Sequence, residues 1–169
     1  MILDGSSPNA IAQAARALRS GALVGLPTET VYGLAADADS DAAVARVFAS
    51  KGRPSDHPLI VHVASADALQ HFAREIPDFA QALVKAFWPG PLTVILPRRA
   101  EVAAAAAGSQ DSIGLRCPAH PVAQALLAAC AGGPDGARNG GADAAPRSQK
   151  AVLQAGFACC NLHYDGDTI

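Results

Sequence analysis

No apolar run in this chain approaches the ~20 residues that a membrane-spanning helix needs. The stretch from Ala103 to Ala107 is far too short. The N-terminus carries no basic segment leading into an apolar one, so no secretory leader is expected. There are only four cysteines, and Cys117, Cys130, Cys159 and Cys160 form neither a C-x-x-C pair nor a zinc-ligand spacing. The adjacent Cys159 and Cys160 would make a strained vicinal disulfide, so reduced thiols, a cytoplasmic chain and no metal site are expected. Neither sign of charge dominates. A formal net charge of -2 excludes a surface coated in cations for tight nucleic-acid binding, although it leaves room for a local basic groove. Aromatics make up 5% of the residues, so the core must be built from Val, Leu, Ile and Ala. The G-x-x-x-x-G-K-[ST], G-x-G-x-x-G and G-x-S-x-G motifs are all missing. A nucleotide enzyme built on this chain needs another cradle.

What is present is a globular composition, 50% hydrophobic and 17% charged. A length of 169 residues suits one domain with one sizeable core. Ser7-Pro8 reads as an N-cap with proline at the first helical position, and Ile11, Ala14, Ala15 and Leu18 share a face before Gly21. Residues 22–26 read as a buried strand and residues 27–33 as a polar loop. Asp39 or Ser40 caps a second helix carrying Val44, Val47 and Phe48. Residues 59–63 form the clearest strand. Ser65 caps a short helix, Pro77 opens another through Phe87, residues 92–96 and 113–116 are strands, and residues 121–130 are helical. Helices and strands mix throughout, so the class is α/β or α+β.

Four places could carry chemistry. Thr28, Glu29, Thr30 and Tyr32 put two hydroxyls, a carboxylate and a phenol into one turn after a buried strand, where α/β folds place ligands. A polar turn satisfying its own backbone reads equally well. Lys51-Gly52-Arg53-Pro54 offers a point charge and a planar fork suited to phosphate oxygens. A solvated helix end whose cations meet the macrodipole fits the same residues. His62 shares a strand face with Ile60, opposite Leu59, Val61 and Val63; a satisfied core histidine is the plain alternative to a base. Arg116, ending a strand, can clamp a carboxylate or phosphate, or form an ordinary surface ion pair. The Trp88-Pro89-Gly90-Pro91 turn reads as structural.

Taken in order, five segments resemble the YrdC-like family, which includes the threonylcarbamoyl-AMP synthases. They are residues 26–34 (LPTETVYGL), 51–54 (KGRP), 57–63 (HPLIVHV), 88–93 (WPGPLT) and 114–116 (GLR), and the match runs from about residue 10 to 130. The resemblance implies a twisted, open, mixed sheet flanked by helices, with a concave, positively charged cavity. It implies that L-threonine, bicarbonate and ATP are joined into threonylcarbamoyl-AMP with release of pyrophosphate, usually with Mg²⁺. A downstream transferase then passes the threonylcarbamoyl group to tRNA. Carried over by position, Lys51 and Arg53 would hold the ATP phosphates and serve catalysis. Thr28, Thr30 and Tyr32 would line the pocket shared by threonine and nucleotide. His62 would sit near threonine, and Arg116 would bind its carboxylate or a phosphate.

The resemblance stops near residue 130. The family's Ser-Ala-Asn segment, which completes the phosphate site, is absent here; the chain reads Gly, Ala, Asp and Asn without periodicity from residue 131 to 145. A short helix around residues 149–154 is the only element expected after it, and residues 157–169 show no pattern. The division expected is therefore a YrdC-like domain over 1–130 and an atypical tail over 131–169. A reading-frame change or truncation near residue 131 would produce such a tail, with a diverged paralogue carrying a real but different tail as the competitor; Ser-Ala-Asn codons in another frame of the gene are the check. Loss of that segment would weaken ATP binding and impair synthesis. A non-catalytic binder of nucleotide or double-stranded RNA is the alternative. The carbamoyl-adenylate chemistry of hydrogenase maturation is disfavoured by the short chain and the lack of a zinc-finger-like Cys/His pattern.

Overall fold

The computed structural model describes residues 1–131 and the strand at 157–161. Among these residues the element order is α1 (Pro8–Arg19), β1 (Val24–Pro27), β2 (Tyr32–Asp37), α2 (Asp41–Lys51), β3 (Ile60–His62), a 3-10 turn (Ala66–Ala68), α3 (Leu69–Phe72), α4 (Asp78–Phe87), β4 (Val94–Pro97), β5 (Ser112–Arg116), α5 (Pro121–Cys130) and β6 (Phe157–Asn161). The strands form one mixed sheet in the order β1-β2-β6-β3-β5-β4. No helix among the described residues is long and apolar enough to cross a membrane.

Two expectations change. The polar loop ends earlier than residue 33, because Tyr32 and Gly33 open β2 and pair with Pro27 and Leu26. Residues 157–161, patternless as sequence, form the inner strand between β2 and β3. Both neighbours run antiparallel to β6, so β2 and β3 are parallel to each other. The sheet between them is therefore closed by hydrogen bonding, with no open edge there. The helix expected at 149–154 lies outside the described residues.

The helices form for local reasons. Proline sits in the first turn of α1 and of α5. Ser40 caps α2 by accepting a hydrogen bond from Ala43 N at 3.3 Å. The α2 helix stops at Gly52, whose φ of 59° is left-handed, with Gly52 N donating to Ala49 O and Arg53 N to Phe48 O. This stop sets Lys51 and Arg53 on either side of a tight turn.

Two apolar layers cover the sheet. Val61, Val63, Leu115 and Ile113 pack on one face against Val44, Val47 and Phe48 of α2, Phe72, and Val84 of α4. On the other face, Ala14 and Leu18 of α1 and Leu126 and Leu127 of α5 pack over Leu26 and Ala35. Strand alternation turns Ile60, His62, Gly114 and Arg116 toward that second face.

The loop after β4 is held by a buried cation. Arg98 donates through Nε to Gln110 O at 3.0 Å and through one terminal nitrogen to the carbonyls of Arg99, Ala100 and Val102 at 2.8–2.9 Å. Replacing Arg98→Ala leaves these carbonyls without their donor and is expected to lower stability by about 1–3 kcal/mol. Arg98→Lys should recover only part of it, since an ammonium cannot span the same fork. Urea midpoints of the three proteins check this.

Candidate functional site

The turn between β1 and β2 is organised by Thr28. Its hydroxyl donates to Val31 O at 2.6 Å and accepts from the backbone N–H groups of Thr30 and Val31 at 3.3 and 3.2 Å. The hydroxyls of Thr28 and Thr30 lie 3.1 Å apart. Thr28 thus closes its own turn, while Thr30 reaches outward and accepts from Arg116. Tyr32, first residue of β2, is 64% exposed.

Arg116 ends β5 on the opposite side of the sheet. Because β1 runs antiparallel to β2, and β2, β3 and β5 are mutually parallel, the β1–β2 turn and the end of β5 occupy diagonal corners. The twist of a sheet, about 20–25° per strand, raises diagonal corners toward the same face. Here the two corners meet. Arg116 donates to Glu29 Oε1 at 2.6 Å, to Thr30 Oγ1 at 3.2 Å and, through Nε, to Gly90 O at 3.2 Å. The second Glu29 oxygen accepts from Ala119 N at 3.1 Å. This ion pair is not the surface contact that the sequence also allowed, since the Arg116 side chain is 8% exposed and that of Glu29 24%.

From the sequence Glu29 stands only as the carboxylate of the hydroxyl-rich turn, with no role of its own, and Gly90 only as part of a structural turn. Gly90 brackets β5, its carbonyl accepting from Arg116 and its N–H donating to Cys117 O at 2.8 Å. A Cβ at Gly90 would collide with the Phe87 carbonyl oxygen, so the Trp-Pro-Gly-Pro turn needs glycine to come this close. The turn is structural, as expected, but what it structures is the arginine.

His62 is level with Arg116 in the parallel β3–β5 ladder. It is 4% exposed, and its Nδ1 is the one buried side-chain nitrogen or oxygen among the described residues without a hydrogen-bond partner. Burial, and then the neighbouring Arg116 charge, lower its pKa to about 4; Glu29 pulls weakly the other way. The ring is neutral at physiological pH. For Glu29, partial burial works against ionisation, but the hydrogen bonds from Arg116, from its own backbone and from Ala119, with the Arg116 charge, outweigh it and lower the pKa.

Lys51 is half-buried and Arg53 exposed, at the end of α2. They flank the glycine turn as the sequence suggested. The residues brought into direct contact are Thr28, Thr30, Glu29 and Arg116, with His62 beside them. A cavity of about 640 Å³ opens beyond the carboxyl ends of β3 and β5, lined by Ser65, Gln81, Lys85, Trp88, Cys117 and Gln124 among others. Its lining includes Cys117, the neighbour of Arg116, but none of the seven residues predicted as the site. Among the described residues no group of three or more His, Cys, Asp or Glu could hold a metal ion. Burial raises the thiol pKa of Cys117 and pushes that of Cys130 up to about 12, which disfavours the thiolate at both.

A family model described as Sua5/YciO/YrdC, telomere recombination, matches residues 16–134. The chain is 50% identical over 114 residues to the threonylcarbamoyl-AMP synthase of Pyrococcus abyssi (strain GE5 / Orsay), covering 68% of this chain and 34% of that one. It is 38% identical over 128 residues to the synthase of Halorhodospira halophila (strain DSM 244 / SL1), covering 76% of this chain and 67% of that one. The structure of P. abyssi Sua5 complexed with L-threonine superimposes with a TM-score of 0.74 at 38% identity, over 91% of this chain and 40% of that chain. The chain thus spans about a third of the length of the P. abyssi synthase.

Proposed function

This chain belongs to the Sua5/YciO/YrdC family, and from that premise we propose that it is an L-threonylcarbamoyladenylate synthase. It joins L-threonine, bicarbonate and ATP, releases pyrophosphate, and hands its product to a transferase that modifies tRNA in the cytoplasm. The observation that carries this reading is the buried Arg116 fork, fixed on three sides and set beside a neutral histidine with an unpartnered nitrogen. A guanidinium has five N–H donors, and three are used within the protein, so two remain for a substrate carboxylate. The relative solved with L-threonine supports the choice of amino acid.

In this reading Arg116 holds the threonine carboxylate. Neutral His62 makes a hydrogen bond to the amino acid through Nδ1, and Thr30 and Tyr32 line the approach. Lys51 and Arg53 bind the ATP phosphates and take part in catalysis. Threonine's amine displaces water from bicarbonate, or adds to CO₂ with loss of a proton, and an oxygen of the resulting carbamate attacks the α-phosphate as the bond to pyrophosphate breaks. Both reacting groups are anionic, so clustered cations lower their repulsion. Orientation supplies much of the remaining acceleration. Mg²⁺ would be held mainly by the nucleotide phosphates, as is common for this ion, and would offset their charge. The binding residues fall within 1–130 and the sequence from residue 131 on is atypical of the family, but segment 157–161 supplies an inner strand of the same sheet.

A second reading, a nucleotide or double-stranded-RNA binder without catalysis, is favoured by one fact: the Ser-Ala-Asn segment is absent. One assay separates the two. Incubated with ATP, bicarbonate and L-threonine, the protein should release pyrophosphate only when threonine is present. Lys51→Ala and Arg53→Ala should each lower that rate by about 10²-fold. Release that ignores threonine, or none at all, goes against synthesis.

A further inference from the structure

The synthesis reading gives no task to Glu29, although both of its carboxylate oxygens are engaged, one of them by Arg116 at 2.6 Å. We propose that Glu29 is a positioning residue for amino-acid binding: its two carboxylate oxygens hold the Arg116 fork, the Thr28–Val31 turn and the approach to α5 in one register. The inference rests on the threonine reading above.

Both oxygens are engaged, and by groups from distant parts of the chain. Oε1 takes the Arg116 hydrogen bond at 2.6 Å and Oε2 takes Ala119 N at 3.1 Å, across sequence separations of 87 and 90 residues. Only a carboxylate can accept at both ends; an amide offers one acceptor and turns a donor toward the other N–H. The bridge therefore ties the β1–β2 turn both to the last residue of β5 and to the segment entering α5. The same turn presents Thr30 Oγ1 to the same guanidinium. With Nε fixed by Gly90 O, the Glu29 contact settles which N–H groups of Arg116 stay free and where they point. It also neutralises a guanidinium that is otherwise almost wholly removed from water. Unlike Arg116, Glu29 needs no contact with the substrate to do this.

The test uses the full chain, calorimetric titration with L-threonine, and steady-state rates of pyrophosphate release. In Glu29→Gln the dissociation constant and KM for threonine should rise about tenfold, while KM for ATP and kcat at saturating threonine stay within about threefold. Glu29→Asp, which keeps the charge and both acceptors on a shorter arm, should recover part of the loss. If Glu29→Gln does not fold, Glu29→Asp is read by the same split. A threonine constant equal to wild type overturns the inference. So does a parallel loss for threonine and ATP together with a lowered unfolding midpoint, which would mark a purely structural role. Wild-type protein that binds no threonine overturns the function proposed above as well; wild-type binding matched by the Gln variant overturns this inference alone.

Discussion

Arg116→Ala should abolish measurable threonine binding and destabilise the fold by about 3 kcal/mol, the low end of what breaking a buried pair costs. The low end applies because Glu29 is 24% exposed and keeps its bond from Ala119 N, so its charge is not stranded. Three acceptors lose their donor at once: Glu29 Oε1, Thr30 Oγ1 and Gly90 O. Gly90 and Glu29 come from different sides of the sheet, so the arginine acts as a cross-brace between its corners. Arg116→Lys tests geometry against charge. A lysine keeps the cation but cannot present planar donors to three fixed acceptors. It should regain less than half of the lost stability and little of the binding. Urea unfolding and threonine titration measure the two effects separately. Binding retained by Arg116→Ala would mean that the amino acid sits elsewhere.

Acid should weaken the fold in two windows, the first set by His62. Burial and the Arg116 charge lower its pKa from 6.5 to about 4 in the folded chain. The unfolded chain therefore takes up a proton below pH ~6.5 that the folded chain refuses until pH ~4. A depressed histidine thus costs stability as pH falls between these values, by about 3 kcal/mol in all. Glu29 acts lower down. Its pKa lies below the ordinary 4.5, so its contribution is full above that value and is lost as pH falls through the depressed one. His62→Gln removes the titrating group. Its stability should be nearly flat between pH 6.5 and 4 relative to wild type, with the Glu29 window unchanged. Equal slopes for the two proteins would show that the imidazole is not held neutral by its surroundings.

Much of the architecture is legible in the sequence because it rests on local signals. Proline in the first turn starts α1, although Ser7 before it makes no side-chain capping bond, while Ser40 caps α2 and Gly52 stops it, each within a few residues of its partner. The strand at Ile60–His62 and the burial of Leu59, Val61 and Val63 follow from alternation. What is missed has distant causes. The β2 segment Tyr32–Asp37 carries a glycine and two alanines and shows no alternation; it is a strand because β1 and β6 pair on either side of it. The β6 segment has the same character, defined by neighbours more than ninety residues earlier in the chain.

The site divides in the same way. Thr28, Thr30, His62 and Arg116 are visible as chemistry-bearing types at strand ends. Thr28 turns out to satisfy its own turn, as the plain reading allowed. Glu29 and Gly90 are visible as letters, but their importance lies in contacts to Arg116 that no local spacing encodes. A carboxylate in the middle of a hydroxyl-rich turn was the one available signal for Glu29.

A calorimetric titration of the full chain with L-threonine at neutral pH goes to the centre of the account. One saturable site is predicted, lost in Arg116→Ala and retained in Lys51→Ala, because the proposed reading assigns the amino acid to the end of β5 and the phosphates to the end of α2. Binding that survives Arg116→Ala but disappears in Lys51→Ala would contradict it.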